Sequence, residues 1–97
     1  MNIFLDDIRP CPDCFELCRS YEEFTRMVME HKEHIKVISL DYDLGSVRTG
    51  LDACKFLCAN QIKCSKIIIH STHSRAYAME YYLKEMMKDT EIVLLHG

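Results

Sequence analysis

Lys36-Val37-Ile38-Ser39-Leu40-Asp41-Tyr42-Asp43 is an apolar run that breaks abruptly into acids. A continuous apolar run of this length reads as a strand covered on both faces, the kind that builds parallel sheets. The signature recurs at Asn2–Leu5, which ends in Asp6-Asp7, and at Lys66–Ile69, which ends in His70-Ser71. Residues 15–18 and 91–95 are two further short strands. Helical patterns lie between them. Ser20-Tyr21-Glu22-Glu23 has the form of a capping box. Behind it Phe24, Met27, Val28 and His31 follow the spacing of an amphipathic helix. Thr49-Gly50-Leu51-Asp52 opens a second helix, with Leu51, Cys54, Leu57 and Cys58 on its apolar face. Ser74 caps a third over residues 75–88, with Met79, Tyr82, Leu83 and Met86 facing inward.

Strands alternating with helices predict an α/β fold with a mostly parallel sheet. Residues 7–15 do not fit a regular pattern. A parallel crossover normally takes a dozen residues or more, so this stretch is too short to hold a helix. Either the helix after the first strand is lost, or residues 15–18 are not a parallel strand.

Ninety-seven residues predict one domain spanning 1–97. The chain is 48% hydrophobic and 28% charged with 3 Gly and 2 Pro, which excludes a disordered tail, a collagen or a flexible linker. A net charge of −3 argues against a duplex-DNA surface. No apolar run approaches the roughly 20 residues of a membrane span. The first residues lack the basic and apolar segments of a signal peptide, so a cytoplasmic location is expected. Reduced cysteines are expected with it. Cys54 and Cys58 read as buried, unbridged core residues. Cys11-Pro12-Asp13-Cys14 is a lone CxxC with no second pair, and Pro10 and Pro12 place it in a loop. Metal-free thiols are expected at Cys11, Cys14 and Cys18.

The polar residues that end the strands carry the chemistry. In an open parallel sheet the carboxyl ends line one edge, and ligands bind there at the topological switch point. With strand order 2-1-3-4-5, Asp6-Asp7 and Asp41 with Asp43 meet in one crevice, beside His70 and Ser71. Crowded carboxylates repel, so one is neutralised or a cation enters. Several aspartates suit Mg²⁺, which usually works with a phosphate. Each cluster alone also reads as a turn or a solvated strand end. Arg9 and Arg48 lie in neighbouring loops. Arg9 holds a phosphate oxygen or pairs with a carboxylate, and Arg48 reads as a solvated charge.

Leu5-Asp6-Asp7-Ile8-Arg9-Pro10, Ser39-Leu40-Asp41-Tyr42-Asp43-Leu44-Gly45, Thr49-Gly50-Leu51-Asp52 and Ile69-His70-Ser71 together resemble the cyclic-phosphate processing receiver domain. That family derives from the response-regulator receiver, and the resemblance covers essentially the whole chain. It implies a receiver-like (flavodoxin-like) three-layer sandwich, order 2-1-3-4-5, lacking the first and last helices. In receivers the first acid pair binds Mg²⁺, the third-strand Asp accepts phosphate, and a Ser or Thr ends the fourth strand. Asp6 with Asp7, Asp41, and Ser71 occupy those positions. Two departures stand out. The fifth strand runs into Leu95-His96-Gly97 without the receiver Lys, which argues against a phosphorelay role. His73 stands where the family usually has Asn.

The resemblance and the acids together predict a metal-dependent phosphoesterase acting on a cyclic phosphate, at an RNA end or on a nucleotide. Asp6, Asp7 and Asp41 would hold Mg²⁺ or Mn²⁺, with Asp41 alternatively the nucleophile. Asp43 and His70 are candidates for general base and acid. Ser71 would donate to a phosphate oxygen, Arg9 would bind one, and His73 would donate or exchange a proton. The rival is a non-catalytic receiver-like module that binds a nucleotide or a protein. A phosphoacceptor receiver comes last.

Overall fold

The computed structural model describes residues 1–95. Eight elements follow in order: β1 (Asn2–Leu5), β2 (Glu16–Cys18), α1 (Tyr21–His31), β3 (Val37–Leu40), α2 (Gly50–Ala59), β4 (Lys66–Ile69), α3 (Ala76–Met86) and β5 (Glu91–Leu94). The strands form one sheet in the order β2-β1-β3-β4-β5. Every neighbouring pair is parallel. Residues 15–18 are therefore a parallel strand, with Phe15 just outside it, and the helix after β1 is the one that is lost.

The register explains the sheet's two faces. Leu5 pairs with Cys18 and Leu40, Leu40 with Ile69, and Ile69 with Leu94. That row and the row through Ile3, Ile38 and Ile67 pack into one core with Phe24 and Val28 of α1, Ala53 and Leu57 of α2, and Met79 and Leu83 of α3. The helices pack in sequence, α1 on α2 and α2 on α3. Right-handed crossovers put all three on this one face once the first helix is gone.

Phe4 and Ser39 alternate to the opposite face, which residues 6–15 cross as a strap. The Phe15 ring meets the Phe4 ring edge-on at 6.3 Å, and Asn2 Nδ2 donates to the Cys14 carbonyl. Arg19 Nη1 donates to the Arg9 carbonyl at 2.7 Å and ties the strap to the end of β2. The layer opposite the helices is thus irregular chain. Ile68 and Val93, on the same face beyond the strap, stay half-buried. No helix among the described residues is long and apolar enough to cross a membrane.

Local signals differ in how they come out. Ser20 caps α1 by accepting the Glu23 amide, and the Thr49 amide donates to Asp52 at the start of α2. Ser74 does not cap α3. The preceding turn is held by His73, whose carbonyl accepts the Ala76 amide and whose Nδ1 accepts the Arg75 amide. Met86 is exposed rather than inward, because it ends α3 beside an open groove between the α2–β4 and α3–β5 turns. Cys54 is buried, but Cys58 only half so, hydrogen-bonded to half-buried Tyr82 at the rim of that groove. All six cysteines are free. Cys11 Sγ donates to the Phe15 carbonyl, and Cys18 Sγ lies 3.6 Å from Met27 Sδ. His96 and Gly97, which bear on the missing receiver Lys, lie outside the described residues.

Candidate active site at the carboxyl edge of the sheet

The ladder continues one residue past the strands. The amides of Asp6, Asp41, His70 and Leu95 donate to the carbonyls of Cys18, Leu5, Leu40 and Ile69. One row of the sheet therefore sets Asp6, Asp41 and His70 side by side, with Asp7 and Ser71 following.

Asp6 is completely buried. Its Oδ1 accepts the Ile8 and Arg9 amides, each at 3.0 Å, because the chain turns sharply there into the strap. Its Oδ2 lies 3.0 Å from His70 Nε2 and 3.8 Å from Arg9 Nε. Burial alone would raise this carboxyl. The two amides and His70 outweigh it and hold Asp6 below the usual carboxylate range.

Asp41 is 9% exposed. It accepts the Tyr42 amide at 2.8 Å and a hydrogen bond from Ser71. Burial, with the Asp6 charge added to it, nevertheless pushes Asp41 above its ordinary value. Asp7 is half-buried, and its Oδ2 packs against Gly45, where a Cβ would sit 2.8 Å away. Gly45 also has φ +68°, which favours a residue without a side chain. Gly50 is demanded more strongly. A Cβ there would lie 2.0 Å from the Asp41 carbonyl oxygen and 2.7 Å from Met79 Cε.

One oxygen from each of Asp6, Asp7 and Asp41 lies within 4.8 Å of the others, the one such cluster of His, Cys, Asp or Glu among the described residues. Three hard oxygen donors with room for water suit Mg²⁺ or Mn²⁺. The raised Asp41 carboxyl marks charge that a cation would relieve. Above the cluster opens a cleft of about 240 Å³, whose lining includes Asp7, Arg9, Asp41, Asp43, Ser71 and His73.

The predicted residues divide by position. Asp7, Asp41, Ser71 and His73 face the cleft, with Asp6 beneath it. Asp43 sits at the lip, exposed, with Oδ1 accepting the Gly45 amide as a turn former does. His73 has its ring 4.5 Å from that of Tyr42, and Nδ1 accepts the Arg75 amide at 3.0 Å. An Nδ1 that accepts leaves Nε2 as the protonated nitrogen. Arg9 lines the cleft while its Nη1 donates to the His70 carbonyl, so its backbone and side chain both brace the strap. Arg48 lies over the Tyr21 ring and 3.8 Å from Asp52, away from the cleft. The His70 ring does not reach the cleft. It stacks on Phe4 with centroids 4.4 Å apart, and Ser39 Oγ lies 2.6 Å from its Nδ1. Sequence reasoning missed Ser39, whose one signal is a hydroxyl in the middle of an apolar strand. It missed Tyr42 and Arg19 as well, which carry no local signal.

A parallel sheet in this order, with acids closing β1 and β3 and a serine closing β4, defines a receiver-type domain. The chain belongs to the cyclic-phosphate processing receiver domain family, whose model matches residues 1–85. No curated protein and no solved structure matches it.

Proposed function

We propose that the protein is a metal-dependent phosphoesterase that opens a cyclic phosphate, at an RNA end or on a nucleotide, in the cytoplasm. The observation that carries this reading is the convergence of Asp6, Asp7 and Asp41 to within 4.8 Å beneath a polar cleft of about 240 Å³. Mg²⁺ or Mn²⁺ held by these three acids would supply Lewis-acid polarisation of the phosphorus and neutralise charge developing on its oxygens.

The chain's own residues do the rest. His73, with Nδ1 held by the Arg75 amide, presents Nε2–H as a donor to a non-bridging phosphate oxygen. Ser71 lines the cleft beside Asp41, its hydroxyl donated to that carboxylate and its Oγ accepting the His73 amide, so it orients both groups toward the phosphate. Asp43, at the lip, takes the proton of the attacking water. One P–O ester bond breaks as the water oxygen bonds to phosphorus. The freed alkoxide takes a proton from solvent, giving a phosphomonoester. The strap carries Arg9 and Ile8 over one wall and narrows access to the acids.

A panel of cyclic and linear nucleotides and RNA oligomers with a terminal cyclic phosphate, incubated with Mn²⁺ or with chelator, tests the reading. Metal-dependent release of a phosphomonoester supports it. Affinity without product supports the non-catalytic module. Phosphate retained on Asp41 after treatment with acetyl phosphate supports the phosphoacceptor.

A further inference from the structure

We infer that Ser39 and His70 are positioning residues, a buried brace that aims the Asp6 carboxylate, and that His70 does not exchange protons with substrate. The three side chains form one chain of hydrogen bonds on the strap side of the sheet. Ser39 Oγ lies 2.6 Å from His70 Nδ1, and His70 Nε2 lies 3.0 Å from Asp6 Oδ2. All three are buried, at 5%, 9% and 0% exposure. Phe4 stacks on the imidazole with only 6° between the planes, so the ring has one orientation.

The proton arrangement follows from the partners. Asp6 Oδ1 already accepts two backbone amides, as an ionised carboxylate does. Oδ2 therefore accepts as well, and Nε2 carries a hydrogen. The ring is buried and stacked face to face on Phe4, an environment that favours its neutral form. Nδ1 is then bare and accepts from the Ser39 hydroxyl. Ser39 thus selects the tautomer, and the tautomer fixes Asp6. Both ring nitrogens are consumed, and neither faces the cleft. Metal-ligating side chains commonly depend on such supporting partners. The metal consequence rests on the proposed function; the tautomer does not.

Nitrogen NMR of the histidine rings in the metal-free protein tests the brace directly. His70 is expected as the neutral ring protonated at Nε2, and Ser39→Ala is expected to mix the two tautomers. A ring protonated at Nδ1 in the unaltered protein, or a tautomer indifferent to Ser39→Ala, overturns the inference. Titration with Mn²⁺ alone tests the consequence. Ser39→Ala and His70→Ala should each weaken binding about tenfold, the lower end of the usual effect of a supporting partner. His70→Gln keeps an N–H for Asp6 but cannot act as an acid or base. It should retain affinity within about threefold, and Ser39→Ala added to it should change nothing further, as for two groups acting through one path. A glutamine variant as damaged as the alanine one contradicts the brace. If the unaltered protein ignores Mn²⁺, the proposed function fails, and the tautomer result alone decides the brace.

Discussion

Replacing Asp41 with Asn should make the metal-free protein more stable and remove its response to metal. The two effects have one cause. An Asp41 oxygen lies within 4.8 Å of an Asp6 oxygen, and the two charges would repel by about 3.5 kcal/mol at an effective dielectric of ~20, falling to about 0.9 kcal/mol in bulk water. The cleft exposes one side of the pair to solvent, so about 1–2 kcal/mol is the expected relief. Asn preserves the carbonyl that accepts the Tyr42 amide, so little hydrogen bonding is lost there. For a domain of this size, 1 kcal/mol moves the melting temperature by about 4–8 °C. Thermal unfolding at pH 7.5 in chelator should therefore show Asp41→Asn melting about 4–16 °C above the unaltered protein. With millimolar Mg²⁺ or Mn²⁺ the unaltered protein should gain stability by linkage, and the variant should not. A variant that melts lower in chelator, or that keeps the metal-induced gain, refutes the idea that Asp41 is a crowded metal ligand.

The glycines give a graded pair. Gly50→Ala sets a Cβ 2.0 Å from a backbone carbonyl, so β3 and α2 must part by more than about 1 Å. A loss of about 3 kcal/mol or more is expected in denaturant melts. Gly45→Ala meets the movable end of Asp7 at a positive φ and should cost about 1–2 kcal/mol, with weakened metal binding as its distinct signature. The pH dependence has a definite sign. Burial lowers the His70 pKa, so the folded state resists its protonation, and metal-free stability should decline as pH falls below about 6.5, the unfolded value. Thermal melts of His70→Gln should lack that portion of the decline. The raised Asp41 acts in the opposite sense, losing stability as pH rises through its elevated value, and Mg²⁺ affinity should climb over the same range.

The fold was legible because its strands are unusually plain. Three apolar runs stop at polar residues, and register then forces those residues onto one edge. Asp6, Asp7 and Asp41 could be read for the same reason. What could not be read is long-range. His70 ends a strand just as Asp41 does, yet its ring lies back over the sheet because Ser39 and Phe4 offer it partners there. That choice depends on residues about 31 and 66 positions away. Ser74 has the residue type of a cap, but the His73 ring accepts the Arg75 amide instead, a side chain with no standing among common cap residues. Met86 keeps the helical period of a core residue, but α3 ends there and nothing covers it.

Phosphorus NMR of a 2′,3′-cyclic nucleotide incubated with the protein and Mg²⁺ tests the central claim most directly. The cyclic signal should give way to a phosphomonoester, stop changing in chelator, and turn over at least ~100-fold more slowly with Asp41→Asn. A cyclic phosphate that stays intact with the metal-loaded protein, or one that opens equally fast without metal and with Asp41→Asn, would contradict it.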